Sequence, residues 1–383
     1  MSNHPNSQHL TIAVGMSGGV DSTMAACLLK RQGFDVVGVT LQIWDGSADI
    51  PAGEHHAGCY GPGEVQGLEE IRALTTWLGI RHVTIPLATE YRQLVLDYFR
   101  REYLAGRTPN PCVMCNWKLK FGLLLDKARA TGLVFDRFAT GHYVRVECNA
   151  APACNAAPAC NAAHPRYVLK RGLDSEKDQS YFLHHLTQDQ LRNLVFPLGM
   201  LQKTEVKALA RELGLERLAA RSESQDFIAC KHYGALFNAD SIRPGPIVDR
   251  AGHVLGEHKG IIYYTIGQRK GLGLSGTKAP LYVMHIDGAS NTITVGPYEG
   301  LFADRLRATD MNWVACDALR APVRVKAKIR QQHKEADATV IPDDPDGHAV
   351  TVVFDQPQMS VAPGQAVVFY QDDLVLGGGT IAP

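Results

Sequence analysis

The sequence predicts an α/β protein: a domain built on a parallel sheet, followed by two small β-rich domains, the last of them a barrel. Up to about residue 235, short and almost wholly apolar strands alternate with helices, a pattern typical of a parallel sheet covered on both faces. After about residue 236, Gly and Pro separate short strands in which polar and apolar side chains alternate. We therefore expect domains at residues 1–235, 236–302 and 303–383.

The composition narrows the classes of function. The 383 residues are 45% apolar and 20% charged, which is ordinary for a globular chain with more than one core. Lys and Arg balance Asp and Glu, so any contact with nucleic acid must be a local patch. No apolar run approaches the ~20 residues that cross a bilayer, and residues 1–10 lack the features of a secretory signal. We expect a cytoplasmic protein with no membrane partner and, with nine cysteines, no disulfide scaffold.

The first domain is expected to begin with strand Leu10–Met16, helix Asp21–Gln32 and strand Asp35–Leu41. The same alternation predicts helix Leu68–Leu78, strand His82–Pro86, helix Tyr91–Tyr103, helix Phe121–Ala130, strand Arg137–His142 and helix Gln202–Leu213. Residues 147–164 repeat the letters CNAAPA between the strand-like segments YVRV and RYVLK, which predicts an expanded hairpin loop. A metal site on its cysteines is disfavoured, because Ala and Pro cannot support a ligand.

The β-rich part is expected to contain the strands GPIVD, KGIIYYTIG, LYVMHID and TITVG, then VRVKAKIR, HAVTVVFD, QAVVFY and VLGGGTI. In Val323–Arg330, strand alternation places all the cations on one face. These cations are Arg324, Lys326, Lys328 and Arg330. Such a row suits a phosphate backbone, and the alternative is a solvated strand face. Arg269 and Lys270 would extend the same surface.

The strongest local signal is SGGVDS at residues 17–22, between the first strand and the first helix. Backbone N–H groups and the positive end of the helix dipole meet an anion at such a point. Gly18 and Gly19 allow close approach of phosphate oxygens, and Ser17 and Ser22 add hydroxyl donors. Asp21 is expected to cap the helix or to help hold a metal ion. The segment lacks the Lys of a Walker A loop and resembles instead the PP-loop of AMP-forming ATP pyrophosphatases.

Two cysteines stand together in TPNPCVMCNWKLKF, where Cys112 and Cys115 follow a proline-rich turn. Cys115 lies near a predicted helix N-terminus and close to lysines, and both features favour the thiolate form. No second cysteine or histidine pair is evident in the sequence, which disfavours a zinc knuckle. Cys230, beside Lys231, is unremarkable alone. The remaining cysteines outside the repeats are Cys27 and Cys316, which we interpret as buried apolar residues, and Cys59, which the sequence does not assign.

Seven segments, in order along nearly the whole chain, resemble the tRNA-specific 2-thiouridylase family. They are GMSGGVDS at 15–22, AGRTPNPCVMCNWKLKFG at 105–122, ATGHY at 139–143, KDQSYFL at 177–183, SESQDF at 222–227, YTIGQRKGLG at 264–273 and VAPGQAVVFYQDDLVLGGGTI at 361–381. Members of this family replace an oxygen of the wobble uridine with sulfur in the tRNAs for Lys, Glu and Gln. The resemblance implies a PP-loop fold for the first domain and tRNA contacts for the last one.

The resemblance also implies roles for individual residues. ATP would be held by Gly15, Met16, Ser17, Gly18, Gly19, Val20, Asp21, Ser22, Leu41 and Gly141. The target base or the rest of the tRNA would be contacted by Asn110, Pro111, Cys112, Lys177, Asp178, Gln179, Arg330 and Gln331. Cys115 would be the nucleophile, and ATP would be used with Mg²⁺.

In the family, the second catalytic cysteine follows SQD by two residues, where this chain has Ile228, and Asp is common at the position of Cys112. Cys230 comes two residues after Ile228 and is expected to carry a persulfide. That sulfur would arrive from a sulfur-relay protein or a cysteine desulfurase. The alternative is a [4Fe–4S] cluster on Cys112, Cys115 and Cys230 with one iron left open for sulfide.

Rival functions share only parts of this pattern. Another AMP-forming PP-loop ligase would need the SGGVDS loop but neither the cysteine pair nor the cationic strand. A non-enzymatic scaffold would not release AMP. The GLGLSG segment at 271–276 fits a dinucleotide-binding motif by letter, yet no strand immediately precedes it and no helix follows.

Overall fold

The computed structural model describes residues 10–48, 50, 58–149, 166–221, 226–229, 233–276 and 279–383. The expected α/β class is confirmed, with a parallel sheet followed by two β-rich parts, the last a closed barrel. Most of the CNAAPA insert lies outside the described residues. Among the described residues, every helix is too short or too polar to span a membrane.

The first part of the chain alternates strands and helices. In chain order these are β1 (Thr11–Gly15), α1 (Val20–Arg31), β2 (Asp35–Gln42), β3 (Gly58–Tyr60), α2 (Glu64–Leu78), β4 (Arg81–Pro86), α3 (Ala88–Tyr91), α4 (Asp97–Leu104), α5 (Pro111–Met114), α6 (Leu124–Ala130), β5 (Arg137–Ala139), β6 (Val144–Asn149), β7 (Arg166–Arg171), α7 (Gln188–Arg192), β8 (Leu194–Val195), α8 (Lys203–Glu212), α9 (Glu216–Ala220) and β9 (Asp226–Ile228). π-helical turns at Arg92–Leu96 and Cys115–Leu123 join α3 to α4 and α5 to α6, and Ser180–Leu183 is a 3₁₀ turn.

The central sheet has the strand order β4-β2-β1-β5-β8, and all its strands are parallel. Alternate residues of β1 are buried on opposite faces of the sheet. Val14 belongs to the hydrophobic cluster that contains α1, and Ala13 belongs to the cluster on the other face of the sheet. This burial on both sides explains why the strands are almost wholly apolar. β1 lies between β2 and β5, so the carboxyl end of β1 opens where the strand order changes direction. Ligands bind at such a point in open α/β sheets.

The middle part contains a four-stranded sheet, in the order β11-β10-β13-β12. Its strands are β10 (Gly245–Val248), β11 (Val254–His258), β12 (Tyr282–Asp287) and β13 (Thr292–Gly296). The prediction of a strand at KGIIYYTIG is wrong, because Ile261–Tyr263 forms a 3₁₀ turn. Gly260, at φ 133°, turns the chain there, and Ile261 and Ile262 are buried in succession rather than alternately.

The last part is a six-stranded antiparallel barrel. Its strands are β14 (Phe302–Trp313), β15 (Val323–Lys328), β16 (Ala336–Pro342), β17 (Val350–Met359), β18 (Ala366–Gln371) and β19 (Leu374–Ile381). β14 pairs with both β17 and β19, which closes the barrel. The β6–β7 hairpin of the first part joins β19 through the pair Leu374 and Lys170.

Candidate functional site

The glycine loop connects β1 to α1 as the sequence predicts. Gly18 has a φ of 76°, a conformation that residues with a Cβ rarely adopt. Gly19 is the N-cap of α1 and has no side chain with which to cap it. The Ser22 hydroxyl accepts from the Ser17 backbone N–H at 3.2 Å and donates to the Gly19 carbonyl at 3.1 Å. The helix N-terminus is therefore open to an anion, with hydroxyl groups beside it.

Asp21 is held in an ion pair that the sequence did not reveal. Its two carboxylate oxygens lie 2.8 and 2.7 Å from the Nζ of Lys203, the first residue of α8. The Tyr143 hydroxyl donates to the same carboxylate at 2.8 Å. Both oxygens are thus engaged by protein groups, so Asp21 does not fit the role of a metal ligand in this conformation.

Hydrogen bonds connect this ion pair to the segment expected to touch tRNA. Gln179 bonds the backbone of Tyr143 in both directions, at 3.0 and 3.2 Å. The buried Asp174 accepts from the backbone N–H of Lys177 at 3.3 Å and of Lys203 at 2.8 Å. The segment 177–179 and the glycine loop therefore share one hydrogen-bonded ring.

Gly141, which follows β5, touches the start of α1. A Cβ built at Gly141 would lie 2.6 Å from the backbone carbon of Asp21 and 2.8 Å from its Cβ. Only glycine fits there without moving the helix. The expected proximity of Gly141 to the loop is therefore present in the structure.

Glu64, the first residue of α2, holds the chain where it leaves the carboxyl end of β2. Both carboxylate oxygens of Glu64 accept backbone N–H groups, from Ile43 at 2.9 Å and from Trp44 at 2.8 Å. Burial raises the pKa of Glu64 and outweighs these two hydrogen bonds, which lower it. Leu41 lies in this strand, half-buried, and pairs with Ile85 of β4.

The cysteine turn is capped by Asn110, whose side-chain oxygen accepts from the Val113 N–H at 3.2 Å. Pro111 is the first residue of the following helical turn, where its missing N–H has no consequence. Cys112 and Cys115 are both half-buried. The barrel supports this segment, because Thr108 N–H donates to the carbonyl of Pro363 at 2.8 Å.

A third thiol belongs to this cluster. Burial, followed by the charges of Cys115, Cys59 and Cys112, raises the pKa of the buried Tyr91. Tyr91 stacks on Tyr60, the last residue of β3, with ring centroids 5.2 Å apart. Cys59, to which the sequence assigns no role, precedes Tyr60 in β3 and therefore lies near the cysteine turn.

In the free protein, the local features expected to favour the Cys115 thiolate are outweighed by burial. Burial raises the pKa of Cys115 to about 11, and although Lys120 lowers it, the charge of Cys59 opposes that effect. The sequence revealed the helix and the lysines but not the burial.

This shift predicts how Cys115 reacts with iodoacetamide. At pH 7 about one Cys115 thiol in ten thousand is ionised, so alkylation should be slow and should rise about tenfold per pH unit toward pH 11. Mass spectrometry of the Cys115 peptide measures this, with the exposed Cys148 in the same digest as the reference. A rate that levels off below pH 8 would contradict the burial of this thiol.

Cys230 lies outside the described residues, as do Ser222–Gln225 before it. Ile228, at the position where the family carries its second cysteine, is fully buried on β9 and pairs with Tyr60 of β3. That position therefore holds an apolar side chain in the core. In the described ranges, no set of three or more His, Cys, Asp or Glu side chains is arranged to hold a metal ion.

The residues expected to touch tRNA are divided between surface and interior. Asp178 is buried, and its carboxylate accepts from Gly172 N–H at 3.1 Å and from Ser180 Oγ at 2.8 Å. Gln331 Nε2 donates to the Asp178 carbonyl at 2.9 Å, so the barrel contacts the segment 177–179. Arg330 is close enough to lower the pKa of the buried Tyr181, although burial of that phenol raises it more.

The cationic strand alternates as predicted, but its outer cations have carboxylate partners. Arg324 pairs with Asp355 at 2.6 Å, and Lys326 pairs with Asp337 at 3.0 Å. Burial lowers the pKa of Lys328, which is half-buried. Asp337 belongs to the adjacent strand β16 and Asp355 to β17, one strand further away, which alternation within one strand cannot reveal.

The family model described as tRNA methyl transferase HUP domain matches residues 10–230, and the tRNA methyl transferase PRC-barrel and aminomethyltransferase beta-barrel models match residues 238–297 and 303–381. A solved complex of a 4-thiouridine synthetase with RNA and bound ATP is 16% identical, covering 56% of this chain and 44% of that one at a TM-score of 0.34. A likeness that weak supports no conclusion.

Curated relatives are much more similar. The tRNA-specific 2-thiouridylase MnmA of Endomicrobium trichonymphae is 43% identical over 97% of this chain and 99% of its own length. A second relative with this description, from Acetivibrio thermocellus, is 42% identical over 97% of this chain and 98% of its own. Identity at this level, end to end, together with the family model over residues 10–230, shows that the chain belongs to the tRNA-specific 2-thiouridylase family.

Proposed function

We propose that this protein uses ATP to replace the oxygen at ring position 2 of the wobble uridine with sulfur, in the tRNAs for Lys, Glu and Gln. The observation that carries this proposal is the placement of an anion loop and a thiol cluster at one edge of the sheet. Trp44, just beyond β2, contacts Tyr60 with ring centroids 4.9 Å apart. Tyr60 in turn stacks on Tyr91, which lies beside the thiols. Activation by ATP and attack by sulfur would therefore take place at the same edge of the sheet.

The glycine loop supports the first step. MgATP, as substrate, would place its pyrophosphate portion at the open N-terminus of α1, between Gly18 and Ser22. The uridine O2 attacks the α-phosphorus, pyrophosphate leaves, and the O2–adenylyl bond that forms turns the oxygen into a good leaving group. The loop dipoles stabilise the charge that moves onto the departing pyrophosphate. Asp21 takes no part in this step as a metal ligand, because Lys203 and Tyr143 engage its oxygens.

The thiols support the second step. A persulfide on Cys230 attacks C2 with its outer sulfur and releases AMP, which leaves a Cys230–S–S–base linkage. The Cys115 thiolate then attacks the Cys230 sulfur, which frees the 2-thiouridine and forms a Cys115–Cys230 disulfide. A dithiol reductant restores both thiols with two electrons. Because burial holds the pKa of Cys115 near 11, the thiol must lose its proton in the tRNA complex rather than beforehand.

Two partners complete the proposal. The tRNA would lie along residues 177–179 and the turn at Arg330. Gln331 joins these two parts through its hydrogen bond to the Asp178 carbonyl. The persulfide sulfur would come from a sulfur-relay protein or a cysteine desulfurase. A [4Fe–4S] cluster on Cys112, Cys115 and Cys230 is the alternative way to deliver sulfur, and in that case the thiolates are ligands rather than carriers.

Anaerobic purification with iron and sulfide analysis, followed by a thiolation assay on unmodified tRNA, tests the proposal. We expect iron-free wild-type protein to form 2-thiouridine with a persulfide donor, and Cys230→Ala to form none. Activity that follows iron content near four per chain would replace the persulfide route with the cluster. AMP release on a small substrate, with no thiouridine in any state, would overturn the proposed function.

A further inference from the structure

The helical segment Cys115–Leu123 contains a buried polar group that the protein itself leaves unused. Asn116 directly follows Cys115 there and is only 5% exposed. Its side-chain oxygen is buried and accepts no hydrogen bond from the described residues. A buried acceptor without a donor destabilises the folded protein, so its presence in a native fold requires an explanation. A ligand that brings a donor to this oxygen provides one.

The place of Asn116 in the chain restricts what that donor is. The residues from Asn110 to Cys112, expected to lie against the target base, form the turn just before it, and Asn110 fixes that turn through the Val113 N–H. The segment that begins beside Asn116 is π-helical, a geometry frequent at functional sites. The unused oxygen therefore belongs to the same short stretch of chain as the expected base contacts and the expected nucleophile.

We propose that the Asn116 side-chain oxygen accepts a hydrogen bond from N3–H of the target uridine. The inference rests on the proposed function, in which sulfur reaches C2 of this base. N3 is bonded directly to C2, so a group that contacts N3–H has to lie beside the thiols that deliver sulfur. Cytosine carries a lone pair at N3 instead of a proton, and a buried acceptor that faces it stays unpaired. Asn116 is thus a specificity-determining residue, which selects uridine over cytidine.

The first test compares the stability of the free protein with its activity. Asn116→Leu replaces the unused polar group by an apolar one of similar size, so the melting temperature should equal or exceed that of wild type. Formation of 2-thiouridine should fall by roughly 10- to 100-fold, because the hydrogen bond to the base is lost. The matched control is Asn312→Leu, where the amide donates to the carbonyls of His184 and Leu186 and the melting temperature should fall. A lower melting temperature for Asn116→Leu, or an unchanged rate, would overturn the inference.

The second test changes the base and measures binding alone. Unmodified tRNA with uridine at the wobble position, and the same tRNA with cytidine there, are titrated into wild type, Asn116→Leu and Asn312→Leu. We expect the preference of wild type for uridine to fall by roughly tenfold in Asn116→Leu and to be kept in Asn312→Leu. An equal preference in wild type and Asn116→Leu refutes the role of Asn116 only. Wild type that forms no 2-thiouridine on any tRNA refutes the proposed function itself.

Discussion

Cys115→Ser should abolish formation of 2-thiouridine while leaving pyrophosphate release intact. A serine hydroxyl neither attacks a persulfide-derived disulfide nor accepts sulfur, so we expect product to fall by a factor of roughly a thousand or more. Adenylation does not use the thiol and should continue to about one pyrophosphate per tRNA. Quantifying thiouridine by nucleoside mass spectrometry beside pyrophosphate release measures both steps on one sample.

The exposed Cys148 on β6 provides the matched control. Cys148→Ser makes the same chemical change away from the turn and should retain wild-type activity. Substantial thiouridine from Cys115→Ser would assign the nucleophile elsewhere, and Cys59 and Cys112 would then be the first thiols to replace.

Gly141→Ala should have the second large effect, because it displaces the glycine loop rather than removing a reacting group. Its Cβ would lie 2.6 Å from the Asp21 backbone, and a contact that close forces the start of α1 to move. We expect the free energy of unfolding to fall by about 1–3 kcal/mol, as overpacking usually costs. ATP affinity should fall at least about tenfold, because small displacements of binding groups are costly. Thermal unfolding and calorimetric titration with ATP measure the two effects.

Gly63→Ala is the control for this substitution. A Cβ at Gly63 meets nothing within 4 Å, although the residue is also a helix N-cap. It should leave ATP affinity unchanged. If Gly141→Ala bound ATP as tightly as wild type, the loop and the turn after β5 would not form one nucleotide site.

Features encoded by local sequence were predictable. Periodicity located β1, α1 and β2 to within a residue or two, and glycine spacing located the anion loop between them. The alternation of Val323–Lys328 was also predicted, because strand geometry alone determines which side chains share a face.

Features that depend on distant parts of the chain were not predictable. Lys203 is 182 residues from its partner Asp21, and a lysine at the start of a helix gives no signal in the sequence. Cys59 lies near the cysteine turn through tertiary packing, in which its neighbour Tyr60 stacks on Tyr91. The raised pKa of Cys115 has the same cause, since burial comes from tertiary packing and here outweighs the nearby lysine.

The most direct test of ATP-dependent replacement follows the uridine oxygen itself. Unmodified tRNA carrying ¹⁸O at position 2 of the wobble uridine is incubated with enzyme, ATP and a persulfide donor, and the AMP produced is examined by mass spectrometry. Adenylation of the oxygen predicts one ¹⁸O atom in AMP for each 2-thiouridine formed. Unlabelled AMP alongside thiouridine, or ADP as the nucleotide product, would contradict activation of the uridine oxygen by this protein.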